Sequence, residues 1–373
     1  MIDAAEKDAV AGVLSGSQLV HGPVAKQFED DFAKRIGSAR AVTVSSCTAG
    51  LHLSLFVSGI GEGDEVIVPA MTHVATAHAV EFCGGTPVFV DVEPDSGNMD
   101  LDAVEAAITE RTKAIMPVHY LGLPCDMDRV NALAQSCNAL VVEDCALAVD
   151  ATYDGRKAGT LGDTGCFSFY PVKHMTSLEG GMVTSNNIAL ADAIAKRKAF
   201  GYDKMLGERK EPGVYDVDEL GYNYRMNEVQ AAVGLVQLGK LDAFQKARAE
   251  NFAALKVALE DLDEITVFEP RQGKSVSSHY CLNAVLPRDG SLGRAAIVEA
   301  LKEMGIGTSV HYPHPVPAMK YYAERYEYDA RQFPVADWLA KQTISLPVGP
   351  HLEPGDPERI AIAFKDAVRR AKD

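Results

Sequence analysis

From about residue 40 onward, short apolar runs rich in β-branched residues alternate with longer amphipathic stretches. AVTVSS (41–46) leads into TAGLHLSLFVSG, EVIVPA (65–70) into THVATAHAVEFCG, PVFVDV (87–92) into LDAVEAAI, and KAIMPVHY (113–120) into MDRVNALAQSC. ALVVEDC closes the series at residue 145. A period of two exchanging repeatedly with a helical period predicts right-handed crossovers and a mostly parallel sheet covered on both faces. Two later apolar runs, GCFSFY (165–170) and GMVTS (181–185), are joined only by PVKHMTSLEG, which is too short for a parallel crossover, so the pattern breaks there.

Beyond the polar stretch GYDKMLGERKEPGVYDVDELG (201–221), a helical pattern runs from about Met226 to Leu262 with even polar decoration, as expected of a bridge between domains. Strand-like SHYCLNAVLP (278–287), helix-like LGRAAIVEALKEMG (292–305) and a last helix from about Pro357 predict a smaller α/β domain. The expected division is a large domain over 1–245 and a small one over 246–373, with the N-terminal segment packing on the small domain.

Composition narrows the function classes. A chain of 373 residues has room for two or three domains, and 47% apolar against 24% charged residues matches a globular protein. Lys+Arg 36 against Asp+Glu 52 gives a net charge of −16, a field that repels nucleic acid and anionic lipid. Seven cysteines, at 47, 83, 125, 137, 145, 166 and 281, are an odd number without a C-x-x-C pair and read as reduced thiols. MIDAAEKDAVAGVL is amphipathic and acidic, unlike a secretory signal, and no stretch approaches the roughly 18 apolar residues of a membrane span, so a cytoplasmic location is expected.

Three motifs mislead. Gly234–Lys240 imitates a P-loop, but Leu241 stands where Ser or Thr belongs, and the segment is helical in pattern. Gly59, Gly61 and Gly63 follow a helix instead of the first strand, unlike a dinucleotide fingerprint. His311 and His314 have ligand-like spacing, yet Pro313 and Pro315 break the helix that would aim both at one ion, and no metal is expected.

In open α/β sheets ligands bind beyond the carboxyl ends of the strands. Past the first strand, Ser45-Ser46-Cys47-Thr48-Ala49-Gly50 enters a helix, which suits a phosphate, although an ordinary N-cap by Ser46 or Thr48 explains the same residues. Past ALVV stand Glu143 and Asp144, where a carboxylate could hold a proton on a heterocyclic nitrogen or simply cap a turn. A third strand ends Ser168-Phe169-Tyr170-Pro171-Val172-Lys173, followed by Glu179-Gly180-Gly181. A loop lysine is usually solvated, but two aromatics and a double glycine would desolvate this one and free its amine for a Schiff base. A phosphate cradle, a carboxylate and a lysine at successive strand ends match the three handles of pyridoxal 5′-phosphate.

At these residues the chain resembles the sugar aminotransferases of the DegT/DnrJ/StrS-like family, fold type I pyridoxal-phosphate enzymes. The resemblance is carried by GDEVIVPAMT (63–72), TPVFVDVEP (86–94), RTKAIMPVHYLGLPCDMD (111–128), VVEDCALA (141–148), GTLGDTGCFSFYPVKHMTSLEGGMV (159–183), GYNYRMNEVQAAVGLVQL (221–238) and ISLPVGPHL (344–352). It implies a large domain with a mostly parallel seven-stranded sheet flanked by helices, and a smaller C-terminal α/β domain. Lys173 would bind the cofactor covalently and then act as general acid and base, and Asp144 would keep the pyridine nitrogen protonated. Thr48, the Cys47 backbone and Ser168 would bind the phosphate, and His73 would stack on the ring. Asn223 would reach the phosphate of a neighbouring subunit in a homodimer.

The implied reaction moves an amino group from L-glutamate, released as 2-oxoglutarate, to a keto sugar, most often a nucleotide-linked 4-keto-6-deoxy sugar. Amination of another carbon or of a free eight-carbon keto sugar acid, sugar dehydration, and a non-enzymatic regulatory role are the alternatives. Lys204, Arg209, Tyr224, Arg225 and His311 are candidate substrate contacts, with Lys204, Arg209 and Lys210 a possible grip on an anion. Three positions depart from the family pattern: Cys47 in the phosphate turn, Leu147 where Gln or His is common, and Leu178 where Gly is usual.

Overall fold

A computed structural model describes residues 2–204, 211 and 213–372. Helices α1 (Ala4–Leu14) and α2 (Pro23–Ile36) precede the first strand. The main sheet then takes β1 (Arg40–Val44), β2 (Glu65–Pro69), β3 (Thr86–Val90), β4 (Thr112–Ile115) and β5 (Leu140–Asp144). Helices α3 (Cys47–Val57), α4 (Val74–Phe82), α5 (Leu101–Ala107) and α6 (Met127–Cys137) form their connections. After a small hairpin, β6 (Thr152–Tyr153) and β7 (Arg156–Lys157), the sheet is completed by β8 (Thr164–Ser168) and β9 (Gly181–Ser185), with α7 (Ile188–Arg197) behind.

The seven strands lie in the order β1-β9-β8-β5-β4-β2-β3, and only β9 runs antiparallel to its neighbours. The antiparallel turn at β8–β9 is the break read from the short 171–180 connection. Every residue of β2, β8 and β9 is buried, as the centre of a sheet covered on both faces requires.

The 32-residue α8 (Glu228–Leu259) opens with a reciprocal capping box between Asn227 and Gln230. Its first half packs Ala231, Leu238 and Leu241 against Phe28, Phe32 and Phe169, whereas Phe252, Leu255 and Leu259 join a second core. That second core is built on an antiparallel sheet of β10 (Thr266–Val267), β13 (Leu282–Val285) and β14 (Thr343–Leu346), β11 (Arg271–Gln272) and β12 (Ser275–Val276) being paired instead with β6 and β7. Around it lie α9 (Arg294–Glu303) and α12 (Asp356–Arg370). Between them, α10 (Lys320–Tyr326) and α11 (Pro334–Gln342) turn back to the main sheet: Phe89 of β3 meets Tyr322, Tyr328 and Phe333 edge-on, and the Asp91 carboxylate accepts from the Val335 and Ala336 amides at the start of α11.

The N-terminal segment departs from expectation. Instead of packing on the small domain, α1 docks on the first half of α8, where the buried Glu6 accepts from Gln237 Nε2 (2.7 Å) and Lys240 Nζ (2.6 Å). The physical reason is that an acidic residue buried on an otherwise apolar face needs a cation and a donor, which α8 supplies in the half-buried Lys240 and the buried Gln237. Among the described residues no helix is long and apolar enough to cross a membrane.

Candidate active site

A cavity of about 280 Å³ opens beyond the carboxyl ends of β1, β5 and β8. Each wall follows from a local rule. The residue after β1 turns into α3, whose N-cap Ser46 accepts from the Ala49 amide at 3.1 Å, leaving the Cys47 and Thr48 amides at the helix start without intrahelical acceptors. Gly181 permits this turn to lie against the sheet: a Cβ there would stand 2.5 Å from the Ser46 carbonyl carbon and 2.6 Å from the Cys47 nitrogen. The Cys47 thiol is committed to the Cys166 carbonyl at 3.4 Å, and burial pushes it well above its ordinary pKa, so it stays protonated.

Asp144 ends β5 and is 4% exposed. Its backbone is pinned on both sides, the amide donating to the Pro117 carbonyl (2.9 Å) and the carbonyl accepting from the His119 amide (3.1 Å). Its carboxylate accepts from Thr76 Oγ1 at 2.9 Å and from the Ala146 amide at 3.0 Å. The neighbouring Glu143 points the opposite way and receives four donors: His119 Nε2 and the amides of Gly159, Leu161 and Gly162. His119, Glu143 and Cys145 lie close enough to hold an ion, but the four donors occupy the carboxylate's acceptor sites, which marks the cluster as a fold contact.

Beyond β8 the chain makes a tight lobe, with the Lys173 amide donating to the Tyr170 carbonyl and the Phe169 amide to the Gly180 carbonyl. Leu178 sits there at φ 69°, a left-handed conformation that explains why glycine is the usual residue in the resembling family. Lys173 lines the cavity, with Nζ 5.6 Å from the centre of the Tyr280 ring. Burial pulls its ammonium below the ordinary value, against the opposing pull of the Asp144 carboxylate, so more of the amine is free than on a solvated lysine. The adjacent His174 does not line the cavity; it is buried elsewhere and its Nε2 donates to the Ser278 carbonyl at 3.0 Å.

Six residues singled out from sequence, Cys47, Thr48, His73, Asp144, Ser168 and Lys173, therefore share one cavity. His73 is the N-cap of α4, its Nδ1 accepting from the Ala75 amide, and its ring stands edge-on to Tyr312. The other candidates lie off this cavity. Asn223 is exposed and accepts from Arg225 Nε at 2.9 Å, and the Arg225 guanidinium covers the Phe200 ring. Tyr224 stacks on Tyr222 with its hydroxyl 3.3 Å from His52 Nδ1, while its carbonyl accepts from the Ser45 amide beside the phosphate-type turn. His311 packs on Tyr280 and contacts Ser345 Oγ at 3.0 Å, and Lys204 pairs with Asp203. Arg209 and Lys210 lie outside the described residues. Sequence reading missed Thr72, Thr76 and Tyr312; two hydroxyls four residues apart at a helix start were the available signal for the first two.

Leu51, Val118, Ala146, Leu147 and Tyr312 give the cavity apolar walls, so it combines an anion cradle, a carboxylate and a partly desolvated amine. Comparison with known proteins agrees with that chemistry. Residues 1–365 match the model of the DegT/DnrJ/EryC1/StrS aminotransferase family. The spore coat polysaccharide biosynthesis protein SpsC of Bacillus subtilis is 39% identical over 376 residues, covering 100% of this chain and 96% of that protein. Among solved structures, the PLP-form of the putative sugar aminotransferase Spr1654 from Streptococcus pneumoniae superposes with a TM-score of 0.92 at 28% identity, covering 100% of this chain and 97% of that one. Helicobacter pylori PseC, an aminotransferase involved in the biosynthesis of pseudoaminic acid, gives 0.92 at 28% identity, over 99% and 98% of the two chains. The chain belongs to the DegT/DnrJ/EryC1/StrS aminotransferase family and is a pyridoxal-phosphate-dependent sugar aminotransferase with the fold type I architecture.

Proposed function

We propose that this enzyme transfers the amino group of L-glutamate to a nucleotide-linked 4-keto-6-deoxy sugar, in the making of an aminosugar for cell-surface polysaccharide. The observation that carries the reading is the convergence of Lys173, Asp144 and the start of α3 on one cavity. The donor set fits pyridoxal 5′-phosphate: Thr48, Ser168 and the first amides of α3 suit its phosphate, Asp144 its ring nitrogen, Lys173 its aldehyde carbon, and His73 a face of the ring. When bound, the cofactor supplies a sink for the electron pair left as a substrate C–H bond ionises.

This chain's residues do the rest. Asp144 orients the ring by its fixed carboxylate, and the α3 amides anchor the opposite end. Lys173 Nζ, with its lowered proton affinity, takes the proton from the donor's carbon and returns it to the acceptor's side. The apolar wall around Leu51, Val118 and Leu147 keeps water from competing for that proton. Relatives that dehydrate the sugar carry His at the lysine position; here Lys173, and not His174, lines the cavity, which favours amino transfer over sugar dehydration.

The sugar class is supported by the polysaccharide and pseudoaminic acid roles in the relatives' names. A homodimer is supported by the exposed Tyr170, Val172 and Leu178 next to the cavity and by Leu19 and Val20 on the adjoining groove. The exposed Asn223 would then serve the phosphate of the second subunit, and Lys204, Arg209, Tyr224 and Arg225 would meet the sugar nucleotide. The seven unpaired cysteines suit a cytoplasmic enzyme.

The test is incubation of the loaded enzyme with a panel of nucleotide-linked keto sugars and L-glutamate. Equal amounts of aminosugar and 2-oxoglutarate are expected. Consumption of the sugar without 2-oxoglutarate would indicate dehydration instead.

A further inference from the structure

The carboxylate of Asp144 is held by a buried line of hydroxyls that the cofactor reading alone does not require. Thr72 Oγ1 and Thr76 Oγ1 are 2.8 Å apart, and Thr76 Oγ1 is 2.9 Å from Asp144 Oδ2. Thr72 is 1% exposed and Thr76 is fully buried. Direction follows from counting protons. An ionised carboxylate only accepts, so the single Thr76 hydroxyl proton goes to Asp144, and Thr76 must then accept from Thr72. The other carboxylate oxygen takes the Ala146 amide at 3.0 Å, and the Asp144 backbone is fixed by Pro117 and His119. One donor on each oxygen stops rotation about the carboxyl bond and leaves the remaining acceptor capacity for the cavity that Asp144 lines.

We propose that Thr76 is a positioning residue for the Asp144 carboxylate, and that Thr72 orients the Thr76 hydroxyl by donating to it. The inference rests on the assignment of Asp144 to the ring nitrogen. It ties the start of α4 to the end of β5, so the orientation of the carboxylate depends on a helix that otherwise contributes His73 to the same cavity. A purely structural role is the competing explanation, since Thr76 lies in the first turn of α4, where hydroxyls often serve the helix itself.

The experiment uses the full chain loaded with pyridoxal 5′-phosphate and compares Thr76→Val, Thr76→Ser, Thr72→Val and Asp144→Ala. Three quantities are read: the cofactor dissociation constant, the pH midpoint of the bound cofactor's visible band, and kcat against KM. Loss of a charge-assisted donor in Thr76→Val is expected to weaken cofactor binding about tenfold, move the midpoint and lower kcat more than KM changes. Thr76→Ser should restore all three to within about twofold, and Thr72→Val should fall between, at about threefold.

If Asp144→Ala changes binding and midpoint while Thr76→Val leaves both untouched, the hydroxyl line has no such role. If Asp144→Ala itself changes neither, the assignment of Asp144 falls and the inference with it. Should Thr76→Val fail to fold, Thr72→Val decides alone: a shifted midpoint supports the relay, and an unchanged one overturns it.

Discussion

At the scale of single residues, the chemistry is set by desolvation and by the absence of a side chain at one place. Burial lowers the proton affinity of Lys173 from the ordinary 10.5, and the neutral amine is the form that captures the cofactor. The rate at which apoenzyme recaptures pyridoxal phosphate should therefore rise with pH and level off below 10.5, instead of climbing through it as for a solvated lysine. Gly181→Ala places a Cβ against three backbone atoms, of Ser46, Cys47 and Phe167, none of which can swing aside. We expect a loss of about 1–3 kcal/mol in urea unfolding and a cofactor affinity lowered about tenfold. Lys173, Asp144, Thr48 and Ser168 were legible because each stands at or shortly after the end of a strand, and His73 through the resemblance. Thr76 was not, because it acts through a contact spanning 68 positions, which no local pattern encodes. Strand alternation requires Glu143 and Asp144, adjacent in the chain, to face opposite sides of the sheet, but the partners each meets there could not be read from the sequence.

Among elements, the N-terminal helices are tied to α8 by two buried carboxylates. Burial by itself would raise the Glu6 carboxyl, but the Asp3 amide, Lys240 and Gln237 outweigh it and hold it at about 2. Because the folded value lies below the ordinary 4.5, the docking of α1 is at full strength above pH 4.5 and is lost as pH falls toward 2. Hydrogen exchange should show α1 losing protection through that window, and Glu6→Gln should flatten the dependence. Glu228 accepts from the Gly22 (2.9 Å) and Val24 (2.8 Å) amides and so caps α2 from the first turn of α8. Glu228→Ala should cost about 2 kcal/mol in denaturant unfolding. The parallel core, the β8–β9 reversal and the long helix were readable from periodicity, since buried strands and crossovers repeat a simple pattern. The place of α1 and the return of α10 and α11 to β3 were not, because both depend on which of two apolar surfaces a helix meets.

For the molecule as a whole, the cavity stands at the rim of an apolar surface that includes Val172, 60% exposed, and Leu178, 43% exposed. The proposed dimer would cover that surface and bring Asn223 of one subunit to the cavity of the other. Sedimentation should give twice the monomer mass of 40.1 kDa, and Val172→Asp should shift the distribution toward monomer and weaken cofactor binding with it. Central to the whole account is the covalent attachment of the cofactor at residue 173. The direct measurement is the visible absorbance of the loaded enzyme beside Lys173→Ala, followed by borohydride reduction and peptide mass analysis. We predict a visible band that is absent in Lys173→Ala, and after reduction a cofactor mass on the peptide containing residue 173. The same band in Lys173→Ala, or the added mass on a different lysine, would contradict the account.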